Sequence, residues 1–209
     1  NIHNLNQFVS IQDSISISLD PSTANGSTVR YLLQLNNGFY TVSDTIERVF
    51  GNYSLLLQDA ADSMTNWTNI GSNSNWETTT SSYYSAPSSI TDSKNGNYTN
   101  SRLTELALDI PIDLSNASDA TLEFWAKWNI EADYDYVQIL AAGANGVYSP
   151  LCGEYTNSGT SNQVFNQPLY DGLQATWVPE KMSLNDFLGE AAVQIKIILQ
   201  SDFWVNEDG

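Results

Sequence analysis

A chain of 209 residues with 41% apolar content is long enough to bury a core, which excludes global disorder. Its 24 acidic and 7 basic residues leave a net charge of −17. That balance excludes nucleic-acid binding, which needs a basic face to displace counterions, and disfavours anionic membrane surfaces. The single cysteine, Cys152, excludes an intrachain disulfide, and the single histidine, His3, cannot build a zinc site alone, so no zinc is expected in this chain. A Ser–His–Asp triad would have to use the same His3, so no catalytic constellation is expected. There is no apolar run of membrane-spanning length, so no membrane insertion is expected. The abrupt opening NIHNLNQ and the stop at NEDG after an apolar–aromatic stretch make a fragment of a longer protein the expectation.

Residues 1–48 form a first block. Ile15, Ile17 and Leu19 alternate with Ser14, Ser16 and Ser18, which predicts a short amphipathic strand. Turn signals follow at Asp20-Pro21 and Asn25-Gly26, and a strand resumes over Val29–Leu35. Asn36-Asn37-Gly38 then turns the chain into the next strand at Phe39. These are too few strands for a closed sandwich. The block reads as the end of an immunoglobulin-like β-domain or as edge strands added to the main sheet.

Residues 49–209 carry the main domain. Asn66–Ser89 is rich in Asn, Ser and Thr but holds Trp67, Trp76, Tyr83 and Tyr84, which predicts loops and short strands pinned by buried rings. Leu106, Leu108, Ile110 and Ile112 alternate with Ala107, Asp109 and Pro111. In Thr121–Ile139 the apolar set Leu122, Phe124, Ala126, Trp128 and Ile130 alternates with Glu123, Trp125, Lys127 and Asn129. That period-two pattern predicts a strand with one core face, an acidic turn through Glu131, Asp133 and Asp135, and a returning strand, together a central hairpin. Ser149–Thr156 predicts a short strand holding Cys152, and Ser183 an N-cap for a short helical turn. Val193, Ile195, Ile197 and Leu199 close the series as a long strand. Many short strands and few helical periods predict an all-β jelly-roll sandwich over 49–209, preceded by a partial immunoglobulin-like segment.

The carboxylates admit two readings. Most of them serve as solvated surface, and a hard cation could neutralise the rest through oxygen ligands. Asp59 and Asp62 also read as turn formers or helix caps and Asp92 as an Asx-turn residue, while Glu131, Asp133 and Asp135 read as a solvated turn or hydrogen-bond bracket, with a metal site as the alternative. Glu131 and Asp135 can be drawn as a glycosidase pair, but so can many pairs in so acidic a chain. Trp67, Trp76, Trp125, Trp177 and Trp204 are candidate sugar platforms by type, and Trp125 is the foremost because it points away from the predicted core face, although burial by the second sheet or by the first block is the favoured reading of that ring.

The order DAAD, ITDSKNGNY, DATLEFWAKWNIEADYDYV, PLYDGLQATWV and SDFWVNEDG over residues 52–209 resembles the C-terminal jelly-roll domain of secreted bacterial zinc peptidases. These are the immune-inhibitor-A-like metallopeptidases and related zinc carboxypeptidases, with a more distant similarity to MAM-type jelly rolls. The resemblance implies a secreted or cell-surface, non-catalytic accessory module whose partner is the peptidase catalytic domain of the parent chain. A glycan or other cell-surface ligand is the alternative partner. It also implies a structural Ca²⁺. In DAAD, which opens at Asp59, Asp62 takes the acidic ligand position and Ala61 departs from the family's aromatic. Asp92 matches the acidic position of the second loop, and Asp208 lies where the family continues into an acidic strand.

Overall fold

A computed structural model describes residues 15–209, so His3 and Ser14 lie outside the described residues. The chain divides into two compact units at the Tyr53–Ser54 boundary.

The first unit is an antiparallel hairpin of β1 (Ser27–Asn36) and β2 (Thr41–Phe50). Paired residues share a face, so Val29, Tyr31, Leu33 and Leu35 line up with Arg48, Ile46, Asp44 and Val42 on a mainly apolar side. The other side carries the Arg30–Glu47 ion pair and the Asn36–Thr41 hydrogen bond. The turn forms because the Asn37 side chain accepts from the amides of Phe39 and Tyr40, and Gly38 takes φ +92°, a backbone that side-chain-bearing residues rarely adopt. Ile15–Leu19 is irregular rather than the amphipathic strand its alternation predicts. Alternation marks a face, but a strand exists only where a neighbour takes up its backbone groups, and none among the described residues pairs with it.

The second unit is an all-β sandwich. Its strands are β3 (Trp67–Ile70), β4 (Glu77–Thr79), β5 (Ser89–Thr91), β6 (Leu103–Leu108), β7 (Thr121–Ile130), β8 (Tyr136–Ala142) and β9 (Ser149–Pro150). They continue with β10 (Asn157–Ser158), β11 (Pro168–Leu169), β12 (Gly172–Ser183) and β13 (Gln194–Gln200). One layer is a five-stranded sheet in the order β3-β6-β13-β8-β9, and the other is the β7–β12 ribbon. Leu108, Ile139, Ala141 and Ile195 from the sheet meet Met182 from the ribbon in the main core, with Leu122 and Phe124 of β7 packed against it. A second core gathers Trp76, Tyr98, Leu106, Ile130 and Leu199 toward one end.

The chain alternates between layers from β6 to β7 to β8 and again from β12 to β13, and the last strand inserts between β6 and β8. This is jelly-roll winding. It corrects the reading of Thr121–Ile139 as a hairpin. Its two strands are consecutive, yet β7 pairs with β12 and β8 with β13 and β9. Period two commits one face of each strand to the core, and two strands facing one core from opposite layers satisfy that pattern as well as a paired hairpin does. Similarly, the strand expected over Ser149–Thr156 shrinks to Ser149–Pro150, leaving Cys152 exposed beyond it. In the short 3-10 turn Asn185–Phe187 the N-cap position falls on Leu184, which makes no side-chain cap bond, although the Ser183 hydroxyl still accepts from the Asn185 amide.

Candidate metal centre

Three strand ends converge at one end of the sandwich. The β8–β13 register pairs Tyr136 with Gln200, and the β13–β6 register pairs Gln200 with Leu103. The residues just beyond these pairs, Asp135, Asp202 and the 98–102 segment, are therefore forced together. The chain from 202 onward is strapped down by backbone bonds. Ser101 N–H donates to the Asp202 carbonyl (2.5 Å) and Tyr98 N–H to that of Glu207 (3.0 Å), while Gly209 and Asn129 exchange bonds of 3.0 and 3.2 Å.

At this junction the carboxylates of Glu131, Asp135 and Asp202 approach one another, each offering an oxygen within 4.8 Å of the others. They form the one set of three or more Asp, Glu, His or Cys side chains with that spacing among the described residues. Asp135 is fully buried and bracketed, accepting from the Asp202 amide (2.5 Å) and the Tyr98 hydroxyl (2.7 Å). The Tyr98 hydroxyl in turn accepts from the Glu131 amide (3.1 Å), so one phenol ties both ends of the acidic turn. The turn closes on itself through Asp135 N–H to the Glu131 carbonyl (3.3 Å). From the rim, Gln163 donates to the Asp135 carbonyl and Asp171 accepts from the Asp133 amide. Asp133 itself is exposed, with φ +69°.

The electrostatics are those of crowded anions. Burial pushes the Glu131 carboxyl above its ordinary range, and the charges of Asp135, Asp202 and Glu207 add to it. Burial also raises Asp135, against the opposing bonds from the Asp202 amide and Tyr98. Tyr98 is raised by burial first, while its bond from the Glu131 amide acts in the opposite sense. Glu131 Oε2 and Asn100 Oδ1 are buried without a hydrogen-bond partner. A buried oxygen left unpaired costs about 1–3 kcal/mol, and a cation relieves it directly. The donors are all oxygens, which suits a hard cation of the Ca²⁺ class, taking about 6–8 oxygen ligands, rather than zinc with its preference for nitrogen and sulfur. Glu131, Asp135 and Asp202 would be the residues holding such an ion.

The residues singled out from the sequence are distributed differently. Asp59 organises its own turn, accepting from the Ala61 amide (2.7 Å), the Asn66 side chain (2.9 Å) and the Trp67 indole (3.2 Å). Asp62 is exposed. Asp92 and Asp208 do come together: Ser93 Oγ donates to the Asp208 carbonyl, and Gly209 is packed so closely that an added Cβ would lie 2.5 Å from Asp92 Oδ1. Asp92 is only 6% exposed and its Oδ2 has no partner. Burial, with the Asp208 charge behind it, pushes the carboxyl up to about 7.

Sequence reasoning passed over Asp202. Its carboxylate lies 67 positions from Asp135, and nothing local marks it. The pairing register of β8 with β13 is the signal that brings the two together.

The fold and this junction define an all-β sandwich of jelly-roll winding with a three-carboxylate centre where the last strand leaves the sheet. Compared with protein-family models and with curated proteins, the chain matches none.

Proposed function

We propose that this chain is a non-catalytic accessory module of a secreted or cell-surface bacterial zinc peptidase, stabilised by a divalent cation of the Ca²⁺ class at Glu131, Asp135 and Asp202. The carrying observation is that three carboxylates converge and that one of them, Glu131, keeps a buried oxygen that no donor satisfies. The ion would join the acidic turn between β7 and β8 to the segment after β13, and so act as a tie across the fold. The resemblance of ITDSKNGNY and DATLEFWAKWNIEADYDYV to peptidase-associated jelly rolls supports the accessory role and names the partner, the catalytic domain of the parent chain. The module then serves stability or targeting, and the chemistry belongs to that partner.

Terbium luminescence tests the cation reading. Tb³⁺ takes the same oxygen ligands as Ca²⁺, and Tyr98, bonded to Asp135, sits where it can sensitise a bound ion. Excitation of the aromatic rings should give a saturable Tb³⁺ emission that Ca²⁺ displaces, and both Glu131→Gln and Asp202→Asn should abolish it. No sensitised emission, or emission unchanged in both variants, contradicts the reading.

A further inference from the structure

The outward side of the β7–β12 ribbon carries a set of rings that the core does not use. On β7 the outward residues are Glu123, Trp125, Lys127 and Asn129, and on β12 they are Trp177, Pro179 and Lys181. Trp125 lies opposite Pro179 in the register, and Lys181 opposite Glu123, with which it forms an ion pair of 2.8 Å. Tyr84 reaches this face from the loop before β5 and stacks on Trp125, with ring centroids 3.6 Å apart and planes only 7° from parallel. The pair stays open to solvent: Trp125 is 42% exposed and Tyr84 53%. Further along, the Lys127 ammonium stands 6.0 Å above the Trp177 ring.

An exposed parallel stack of this kind does not arise from core packing, because large rings contribute most to stability when buried. We infer that this face is a binding platform for a neutral oligosaccharide or polysaccharide. Three features select that occupant. Flat rings match the C–H faces of pyranose rings, while the bordering Glu123–Lys181 pair and Lys127 offer acceptors and donors to hydroxyls. On the face itself the Lys181 charge is taken up by Glu123, and the chain's net charge of −17 sets a long-range field against uronate, sulfated and sialylated glycans, which favours an uncharged ligand. Trp125 and the position of Lys127, against which Trp177 lies, are two residues apart on one strand. Their separation of about 7 Å spreads the rings over more than a single sugar. The inference goes beyond the cation-stabilised module and holds whether or not a cation is bound.

Affinity electrophoresis of the full chain tests it, through gels containing mixed-linkage β-glucan, arabinoxylan, galactomannan or, as a polyanion, polygalacturonate, each in EDTA and in Ca²⁺. At least one neutral polymer should retard the parent chain under both conditions, and polygalacturonate should not. Trp125→Ala and, separately, Tyr84→Ala should weaken that retardation about tenfold or more while leaving the thermal midpoint unchanged. Trp125→Phe should restore part of it. Failure of every neutral polymer to retard the parent overturns the inference, as does undiminished retardation in both alanine variants. A parent that sediments as a dimer, with Trp125→Ala a monomer, also overturns it, because a second copy of this chain would then be the occupant.

Discussion

Asp92 shows how far a residue's surroundings can depart from its residue type. Read alone, an Asp in Thr-Asp-Ser-Lys-Asn-Gly is a turn residue, yet this one is buried beside Asp208 with one oxygen unpaired. Its folded-state value of about 7 stands above the ordinary 3.8. Between those values the folded chain holds a proton that the unfolded chain has released. Stability from this group is therefore full below about pH 4 and falls as pH rises, and the loss is complete above about pH 7. Asp92→Asn removes that dependence. In EDTA it should flatten the stability profile between pH 4 and 7 and stabilise the chain at pH 8 by about 4 kcal/mol at most, read by denaturant unfolding. A variant that tracks the parent at both ends of the range would show that Asp92 is ionised and solvated. The burial of Asp135 was equally hidden. Tyr134 and Tyr136 flank it, but only the bonds from Tyr98 and the Asp202 amide distinguish a bracketed carboxylate from the exposed Asp133 two residues earlier.

At the level of the strand, β12 makes the clearest demand on its neighbours. Glu180 is buried on its inward face and accepts from the amides of Glu154 (2.7 Å), Tyr155 (3.0 Å) and Lys181 (2.7 Å) and from the Tyr170 hydroxyl (2.9 Å). A buried carboxylate with four donors is satisfied, so it serves as a structural tie between β12 and the loop after β9. The tie fixes Gly153, where an added Cβ would fall 2.5 Å from Glu180 Cδ. Because Glu180 is held by those bonds, it cannot move aside cheaply. Gly153→Ala should cost about 3 kcal/mol or more in denaturant unfolding, whereas Gly172→Ala, in open space at φ +69°, should cost only about 1–2 kcal/mol from its backbone conformation. A Gly153→Ala chain as stable as the parent would show that the Glu180 tie is loose. Alternation in the sequence located β7 and β13 to within a residue or two, because each turns one face to the core, but the alternation over Leu106–Ile112 overlaps β6 only at Leu106–Leu108, and β8 is buried on both faces. Alternation did not reveal partners, since period two is the same for a strand facing the core from either layer, and the expected central hairpin failed for that reason.

Across the whole molecule, composition and strand patterning made the all-β class legible, and the outward direction of Trp125 followed from the same alternation. The acidic centre was not legible, because it exists only once β13 has inserted between β6 and β8 and carried Asp202 to the turn after β7. Three carboxylates, Glu131, Asp135 and Asp202, then meet at the point where the winding closes. At that junction, like-charge repulsion opposes folding unless a cation offsets it. Thermal unfolding of the full chain in excess EDTA and in millimolar Ca²⁺, with Asp202→Asn alongside, tests this most directly. Calcium at a hundred times its dissociation constant stabilises by about 2.7 kcal/mol, which should raise the parent's midpoint by roughly 5–10 °C and leave that of Asp202→Asn unmoved. Superimposable parent curves in EDTA and in Ca²⁺ would contradict the account, leaving Glu131, Asp135 and Asp202 as a hydrogen-bonded bracket that binds no ion.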